Sequence, residues 1–279
     1  MIYCVRTERQ ATSNYVENIS RGLPNSKLVS YEEAINSTDA EKVAFMGFLR
    51  GGNLVYRWAE ARGIDFYYID RPYWGESRRT PYWMRCVKNQ HVKTFVDNIT
   101  FDNRFEQTFK NKILPYHKNG KHILIIPPSH SVTLMFDAQS WLENTLKILK
   151  ENTDRELVIR EKPYNPKSYI DDIGRMIPGD RITNPNRKEP QRPFEWDQVH
   201  AVVTFNSSIT IKALANGVPC FANFENPCLP VCEQDFTKIE TPKYEDPRPV
   251  FYSLAYGQFT QEEFRSGYAM EILDGRWDI

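Results

Sequence analysis

Twice along this chain, short apolar runs end in glycine, proline or serine loops and give way to segments with helical spacing. An open parallel sheet is the architecture that best accommodates such alternation. In the first half the strand candidates are Met1–Val5, Val43–Phe48 and Phe66–Ile69. Between the last two, Leu54–Arg62 places Leu54, Trp58 and Ala61 on one side of a helix. A tryptophan- and arginine-rich stretch, Tyr73–Arg85, follows, and then a polar segment of helical character around Phe105–Leu114. In the second half His122–Ile126 is a continuous apolar run, as expected of a strand covered on both faces. Ala138–Lys150 reads as an amphipathic helix with Trp141, Leu142, Leu146 and Leu149 in its stripe. Leu157–Arg160, Ala201–Phe205 and Pro219–Phe224 are further strands, with helices expected over Ser168–Met176 and Ile209–Asn216. The last helix, Thr260–Leu273, opens on the capping box Thr260-x-x-Glu263.

The polar, turn-forming stretch His117-Lys118-Asn119-Gly120-Lys121 separates the halves. The expected fold is therefore α/β, with two Rossmann-like domains facing a cleft. They cover residues 1–117 and 118–279, and the last helix is able to pack back on the first domain. At 279 residues each domain can bury its own core.

Lys+Arg and Asp+Glu are equal at 36 each, so a protein held to nucleic acid by its bulk field is excluded. Any DNA contact needs a local patch. No apolar run approaches the roughly 20 residues of a membrane helix, and Met1–Arg6 reads as a strand and not as a secretory signal. No membrane insertion and a cytoplasmic location, in a bacterial or phage-infected cell, are expected. The five cysteines are scattered, and Cys228-x3-Cys232 has no second ligand pair nearby, so reduced thiols and no metal site are expected.

The pattern with most chemical content is Val202-Val203-Thr204-Phe205-Asn206-Ser207-Ser208, followed by a helix that stops at Gly217-Val218-Pro219. A strand turning through Asn206, Ser207 and Ser208 directly into a helix can offer main-chain N–H groups to a diphosphate, although an ordinary N-cap looks the same. Arg160 and Lys162 leave the preceding strand at its carboxyl end, where open sheets of this class bind ligands, and can neutralise the same anion. Ser129 and His130, after His122–Ile126, border that crevice. In the first half Arg50-Gly51-Gly52 is a glycine loop that admits close approach by a ligand, without being a dinucleotide fingerprint. Asp70 closes a strand and is the candidate base for deprotonating an acceptor hydroxyl; a helix cap or an ion pair with Arg71 is the structural alternative. Tyr73, Trp74, Arg78, Arg79, Tyr82, Trp83 and Arg85 interleave aromatics with arginines, as a surface for sugars or bases would, or as a loop packed under the domain.

The segment VVTFNSSITIKALANGVP, Val202–Pro219, resembles the C-terminal half of GT-B glycosyltransferases, closest to the capsular-polysaccharide and Kdo-transferase-like group and its phage relatives. YIDRPYWG, RCVKNQH and LAYGQFTQEEFRSGYAMEIL extend the resemblance from about Phe48 to Leu273. The resemblance implies a compact GT-B fold with the donor held mainly by the second domain, through Arg160, Lys162, Asn206, Ser207 and Ser208, and Asp70 as base. It implies no metal and no cofactor beyond a nucleotide-sugar donor, expected to be a UDP-sugar. The chain departs from the pattern in being short and in lacking an obvious glutamate for the donor ribose, for which Glu225 is a weak substitute.

The expected activity is sugar transfer from this donor to an acceptor hydroxyl. A 5-hydroxymethylated pyrimidine in phage DNA is the first acceptor considered, bound through Arg50, Gly51, Tyr73, Trp74, Arg78, Arg79 and Arg85. Transfer to capsule or lipopolysaccharide-type glycans is the alternative, and a non-catalytic nucleotide- or glycan-binding protein the second alternative.

Overall fold

The computed structural model describes residues 1–7, 10–75, 83–97, 103–161, 167–179 and 194–275. Its elements begin with β1 (Ile2–Val5), α1 (Gln10–Gly22), β2 (Ser26–Val29), α2 (Tyr31–Ile35), β3 (Lys42–Met46), α3 (Gly52–Arg62), β4 (Asp65–Asp70) and β5 (Trp83–Lys88). There follow α4 (Asn103–Thr108), β6 (His122–Ile126), α5 (His130–Met135), α6 (Trp141–Asn152), β7 (Glu156–Ile159), β8 (Tyr169–Ile170), β9 (Met176–Ile177) and β10 (Val199–Thr204). The chain continues through α7 (Ile209–Ala215), β11 (Cys220–Phe221), α8 (Arg248–Ala255), β12 (Gln258–Thr260), α9 (Gln261–Arg265) and α10 (Tyr268–Leu273).

Two compact units result. Unit 1 is Met1–His91, Ser168–Pro178 and Ala255–Ile279; unit 2 is Val92–Lys167 and Gly179–Leu254. The stretch expected to be a hinge near residue 118 lies inside unit 2. Its main chain is tied there, Leu114 N–H donating to the Ala215 carbonyl (2.8 Å) and His117 N–H to that of Gly217 (3.0 Å).

In unit 1 the sheet order is β12-β5-β4-β3-β1-β2. β2, β1, β3 and β4 are parallel, whereas β5 runs antiparallel to both β4 and β12. The central strands β3 and β4 are buried at every position except their ends, which explains the apolar run in the middle of each. One core cluster joins Cys4, Val16, Ile19, Ile69 and Met84 to Phe259, Phe264 and Met270. Elsewhere in the unit Phe45 meets Tyr56 and Tyr68 edge-on. The expected last helix is two, α9 and α10, broken at Gly267 with φ +86°. The capping box forms: Thr260 accepts from Glu263 N–H (3.3 Å) and Glu263 accepts from Thr260 N–H (2.7 Å). Ser168–Met176 is not helical. Asp171 accepts from the main chain of Ile173 and Arg175, Gly174 turns with φ +82°, and β8 and β9 pair as a hairpin.

Asp274, capping α10, ties that helix to the sheet through Lys42, Lys88 and the Tyr67 hydroxyl, each at 2.9 Å. Burial alone would raise its pKa, but hydrogen bonds from Lys88, Lys42 and Tyr67 hold it below the usual carboxylate value. A depressed folded-state pKa contributes stability that is present above the unfolded value, about 3.9, and is lost as pH falls through the folded one. Asp274→Asn is thus expected to cost roughly 1–2 kcal/mol at neutral pH, discounted for partial exposure. The gap to the wild type, read from urea midpoints, should shrink on acidification; a gap independent of pH would exclude the charge as its cause.

Unit 2 carries a parallel sheet of order β11-β10-β6-β7. β10 is buried along its whole length. Ile123, Ile125, Val203 and Phe221 pack against Trp141, Leu149 and Phe236. All five cysteines are free and buried, and no metal-binding group of histidine, cysteine or carboxylate side chains occurs among the described residues. No described helix is long and apolar enough to cross a membrane.

Candidate functional site

In unit 2, β6 connects to β7 on one side, and the chain then returns to place β10 on the other side of β6. The crossover directions change between β6 and β10, and open sheets bind ligands at the carboxyl ends of strands flanking such a switch. The register sets Thr204 level with Ile126, and Ile159 level with Ile125. The loops after these strands therefore emerge side by side at one edge of the sheet, carrying Asn206–Ser208, Ser129–His130 and Arg160.

Much of the turn after β10 is internally bonded. Ser207 N–H donates to Thr204 Oγ1 (3.3 Å), Ile209 N–H to Ser207 Oγ (3.3 Å), and Asn226 Nδ2 to the Ser207 carbonyl (3.2 Å). The expected array of open N–H groups is accordingly reduced, because the hydroxyls serve the turn itself. Ser208 is exposed, while Asn206 and Ser207 are half-buried. Ser129 precedes α5, with its hydroxyl 3.3 Å from that of Ser131, and His130 is the first residue of the helix. Arg160 continues the β7 ladder through its N–H to the Ile125 carbonyl (2.9 Å), and its guanidinium stacks 3.6 Å from the Phe194 ring centroid. Phe194 stacks in turn on Trp196. Burial lowers the Arg160 pKa. Arginine meets phosphate oxygens with paired N–H donors. Lys162 lies outside the described residues.

A broad depression of about 1090 Å³, lined by Lys118, Lys121, Lys150 and Arg155 among others, sits where β6 and β7 begin. That is the amino edge of the sheet, away from the three loops and from where such sheets bind ligands.

In unit 1, Tyr73, Trp74 and Arg85 of the arginine–aromatic stretch do not lie on an open surface. Tyr73 and Trp74 are buried at 6% and 8% exposure, and their N–H groups donate to Gln258 Oε1 (2.9 and 3.3 Å). The antiparallel register of β4 and β5 sets Arg85 opposite Asp70, and Arg85 Nη2 lies 2.9 Å from Asp70 Oδ2. Arg85 also lies over the Tyr73 ring at 5.9 Å. Burial opposes its charge, but Asp70 raises its pKa. The partner of Asp70 is thus Arg85 and not the Arg71 side chain, although Arg71 N–H donates to Asp70 Oδ1 (2.8 Å). Tyr68, whose pKa burial and the neighbouring Asp70 raise, completes the group with a 3.4 Å contact to Oδ2. Asp70 remains one-third exposed. Arg78, Arg79 and Tyr82 lie outside the described residues.

Unit 1 has a switch of its own, since β1 leads to β2 on one side and the chain returns to put β3 on the other. A cavity of about 420 Å³ opens there, lined by Arg6, Thr7, Ser30, Tyr31, Glu32, Glu33, Arg50, Arg175 and Ile177. Arg50 has φ +57°, a conformation that costs an ordinary residue about 1–2 kcal/mol, and its N–H is anchored to the Met176 carbonyl (2.8 Å). Gly51, at φ +93°, has no room for a side chain, because a Cβ would fall 2.4 Å from the Tyr31 ring. Arg175 is fixed by Asp171 (2.8 Å) and lies over Tyr31 at 5.8 Å. Arg6, Tyr31 and Arg175 were not among the sequence candidates. Arg6 carried a readable signal, a charge directly after a buried strand; Arg175 arrives on a hairpin held by Asn53, which accepts from Met176 N–H (2.9 Å) and donates to the Gly174 carbonyl (2.8 Å).

Neither a protein-family model nor a curated protein matches the sequence. Among solved structures, the chain is similar to two from Thermosulfurimonas dismutans. One is the KpsC beta Kdo 2,4 transferase, at 12% identity and TM-score 0.48, covering 93% of this chain and 91% of that one. The other is the KpsC beta Kdo 2,7 transferase, at 12% identity and TM-score 0.49, covering 96% and 98%. Likeness this distant carries no argument about activity, which has to be read from the residues of the two switch points.

Proposed function

We propose that the chain is a glycosyltransferase that moves a sugar from a nucleotide-sugar donor to a hydroxyl of a glycan of the capsule or lipopolysaccharide type. The observation that carries this reading is the convergence of three loops at the carboxyl edge of the unit 2 sheet, beside its switch point. Arg160, stacked on Phe194, is the diphosphate contact, and Ser208, Asn206 and the Ser129–His130 turn border the same edge. The sequence resemblance of Val202–Pro219 to the donor half of GT-B enzymes concerns these same residues. Glycan is preferred to DNA as acceptor because Tyr73 and Trp74 are buried and Arg85 is paired with Asp70. Those groups have no face left for stacking on a displaced base. Asp70, at the carboxyl end of β4, is the proposed base. It is one-third exposed and held in place by Arg85 Nη2 at 2.9 Å.

Arg160→Ala is expected to weaken UDP binding by about 1.5–3 kcal/mol, the scale of a charge-assisted hydrogen bond, with little change in melting temperature. Calorimetry checks this, and unchanged affinity would return the loop to a structural role. Release of UDP from a UDP-sugar separates an enzyme from a binding protein. Mass spectrometry of glycan and 5-hydroxymethylcytosine-DNA acceptors after incubation decides the acceptor, a sugar mass on the DNA alone being the result that overturns the choice made here.

A further inference from the structure

We propose that His91 is a positioning residue, which holds the Arg85 guanidinium on the Asp70 carboxylate and so fixes the direction in which Asp70 faces an acceptor hydroxyl. Its part in turnover rests on the transferase reading with Asp70 as base, but its hold on Arg85 stands on geometry of its own.

A local turn delivers His91 to this place. Asn89, just after β5, takes the left-handed φ of +57° that asparagine tolerates better than most residues. Its N–H donates to the Phe66 carbonyl (2.9 Å), and its Oδ1 accepts from Phe66 N–H (2.7 Å). Two residues on, His91 is buried at 4% exposure. Its ring stacks on Phe48, with 4.9 Å between centroids and 23° between planes, and tilts against Tyr68 at 5.2 Å. Side chains alternate along a strand and cross-strand partners share a face, so Tyr68, Asp70 and Arg85 project on the same side of the sheet. His91 meets them there.

The contact with Arg85 has a direction. Arg85 Nη2 lies 2.9 Å from Asp70 Oδ2 and 3.4 Å from His91 Nε2. A guanidinium only donates, so the His91 Nε2 lone pair is the acceptor and the ring carries its hydrogen on Nδ1. The two hydrogens of Nη2 are thereby divided between Asp70 and His91, which fixes the rotation of the guanidinium. Phe48 belongs to the loop that continues into Arg50 and Gly51, so one histidine joins the glycine loop to the Asp70–Arg85 pair. An ordinary core histidine serves by the volume of its ring; here the lone pair is used as well.

Two variants of the full chain separate ring from lone pair. His91→Phe keeps a flat ring against Phe48 and removes the acceptor. His91→Gln gives up the ring but returns an acceptor, its amide oxygen, at a similar reach. Turnover, read as UDP release from a panel of UDP-sugars, should fall about 10- to 100-fold in His91→Phe with the donor KM unchanged, the scale of a misaligned reacting group. His91→Gln should recover most of the turnover despite a lower melting temperature. In the Arg85→Met background His91→Phe should add nothing to the loss, because the histidine acts through Arg85. The hold itself is read without turnover from the guanidinium nitrogen NMR signals of Arg85. Its two Nη resonances should be resolved in the wild type and in His91→Gln, and averaged into one in His91→Phe, where the group rotates freely. Turnover that follows melting temperature in both variants, or an equal further loss in the Arg85→Met background, would overturn the assignment. A wild type that releases UDP from none of the sugars, yet shows the expected Nη signals, would remove the transferase reading and keep His91 as the residue that holds Arg85.

Discussion

Gly217→Ala should destabilise unit 2 by about 2–5 kcal/mol, which lowers its melting temperature by roughly 4–20 °C on the usual scale for domains of this size. Two costs add. Gly217 sits at φ +72°, where an alanine pays roughly 1–2 kcal/mol. A Cβ there would also fall 2.1 Å from the Pro115 carbonyl oxygen, in the segment that Gly217 itself anchors through His117. Main chain cannot rotate away as a side-chain tip can, so relieving the overlap shifts the 114–117 segment off α7, at about 1–3 kcal/mol. Gly63 is the control. It has a similar φ of +64° with nothing near its missing Cβ, and Gly63→Ala should cost only about 1–2 kcal/mol. Thermal melts of the two variants read the difference directly, and equal losses would show that the contact with Pro115 carries no weight.

Asp70→Asn is expected to act twice. Loss of the proton acceptor should reduce turnover by roughly 10²–10⁴-fold, with UDP affinity unaltered. Loss of the counter-charge leaves Arg85, whose side chain is only 11% exposed, without its anion. Breaking a fully buried pair costs about 3–5 kcal/mol; with Asp70 one-third exposed, about 2 kcal/mol is the expected destabilisation. The two effects separate in the variant Arg85→Met, which removes the buried cation and fills its space. That variant should fold, and it should keep more turnover than Asp70→Asn because the carboxylate survives. A well-folded Asp70→Asn protein with wild-type turnover would leave Asp70 as a counter-ion for Arg85 and nothing more.

These residues also mark where the sequence is readable. β6 and β10 were legible because strands buried on both faces must be apolar throughout, and no helix of that length competes. The loops after β6, β7 and β10 followed from the strands, and with them most of the proposed donor site. β5 was not legible. Its Trp83 and Arg85 looked like a surface stripe, and only the long-range register with β4 turns Arg85 inward onto Asp70. The 168–178 segment failed for the opposite reason. Tyr169, Ile170 and Ile173 are exposed, so their spacing reported no buried face, and the Asp171–Gly174 turn decided the conformation. Arg175 reaches the unit 1 cavity only because that hairpin bonds to Asn53, more than a hundred residues earlier, a pairing that local periodicity does not encode.

The interleaving of the two units also sets an order of events during synthesis. Unit 2 ends at Leu254, so every residue it needs has been made before β12 exists. The outer edge of β5 must wait for Gln258–Thr260, and at ribosomal speeds the intervening residues take roughly 8–30 s to appear. During that interval the nascent sheet presents an unpaired edge, the kind of surface that recruits a neighbouring chain. Phe259, Phe264 and Met270, which close one side of its core, are missing as well. Slower synthesis at low temperature lengthens the wait but also weakens the apolar attraction between exposed chains. The unit whose first strand leaves the ribosome earliest is the last to become whole.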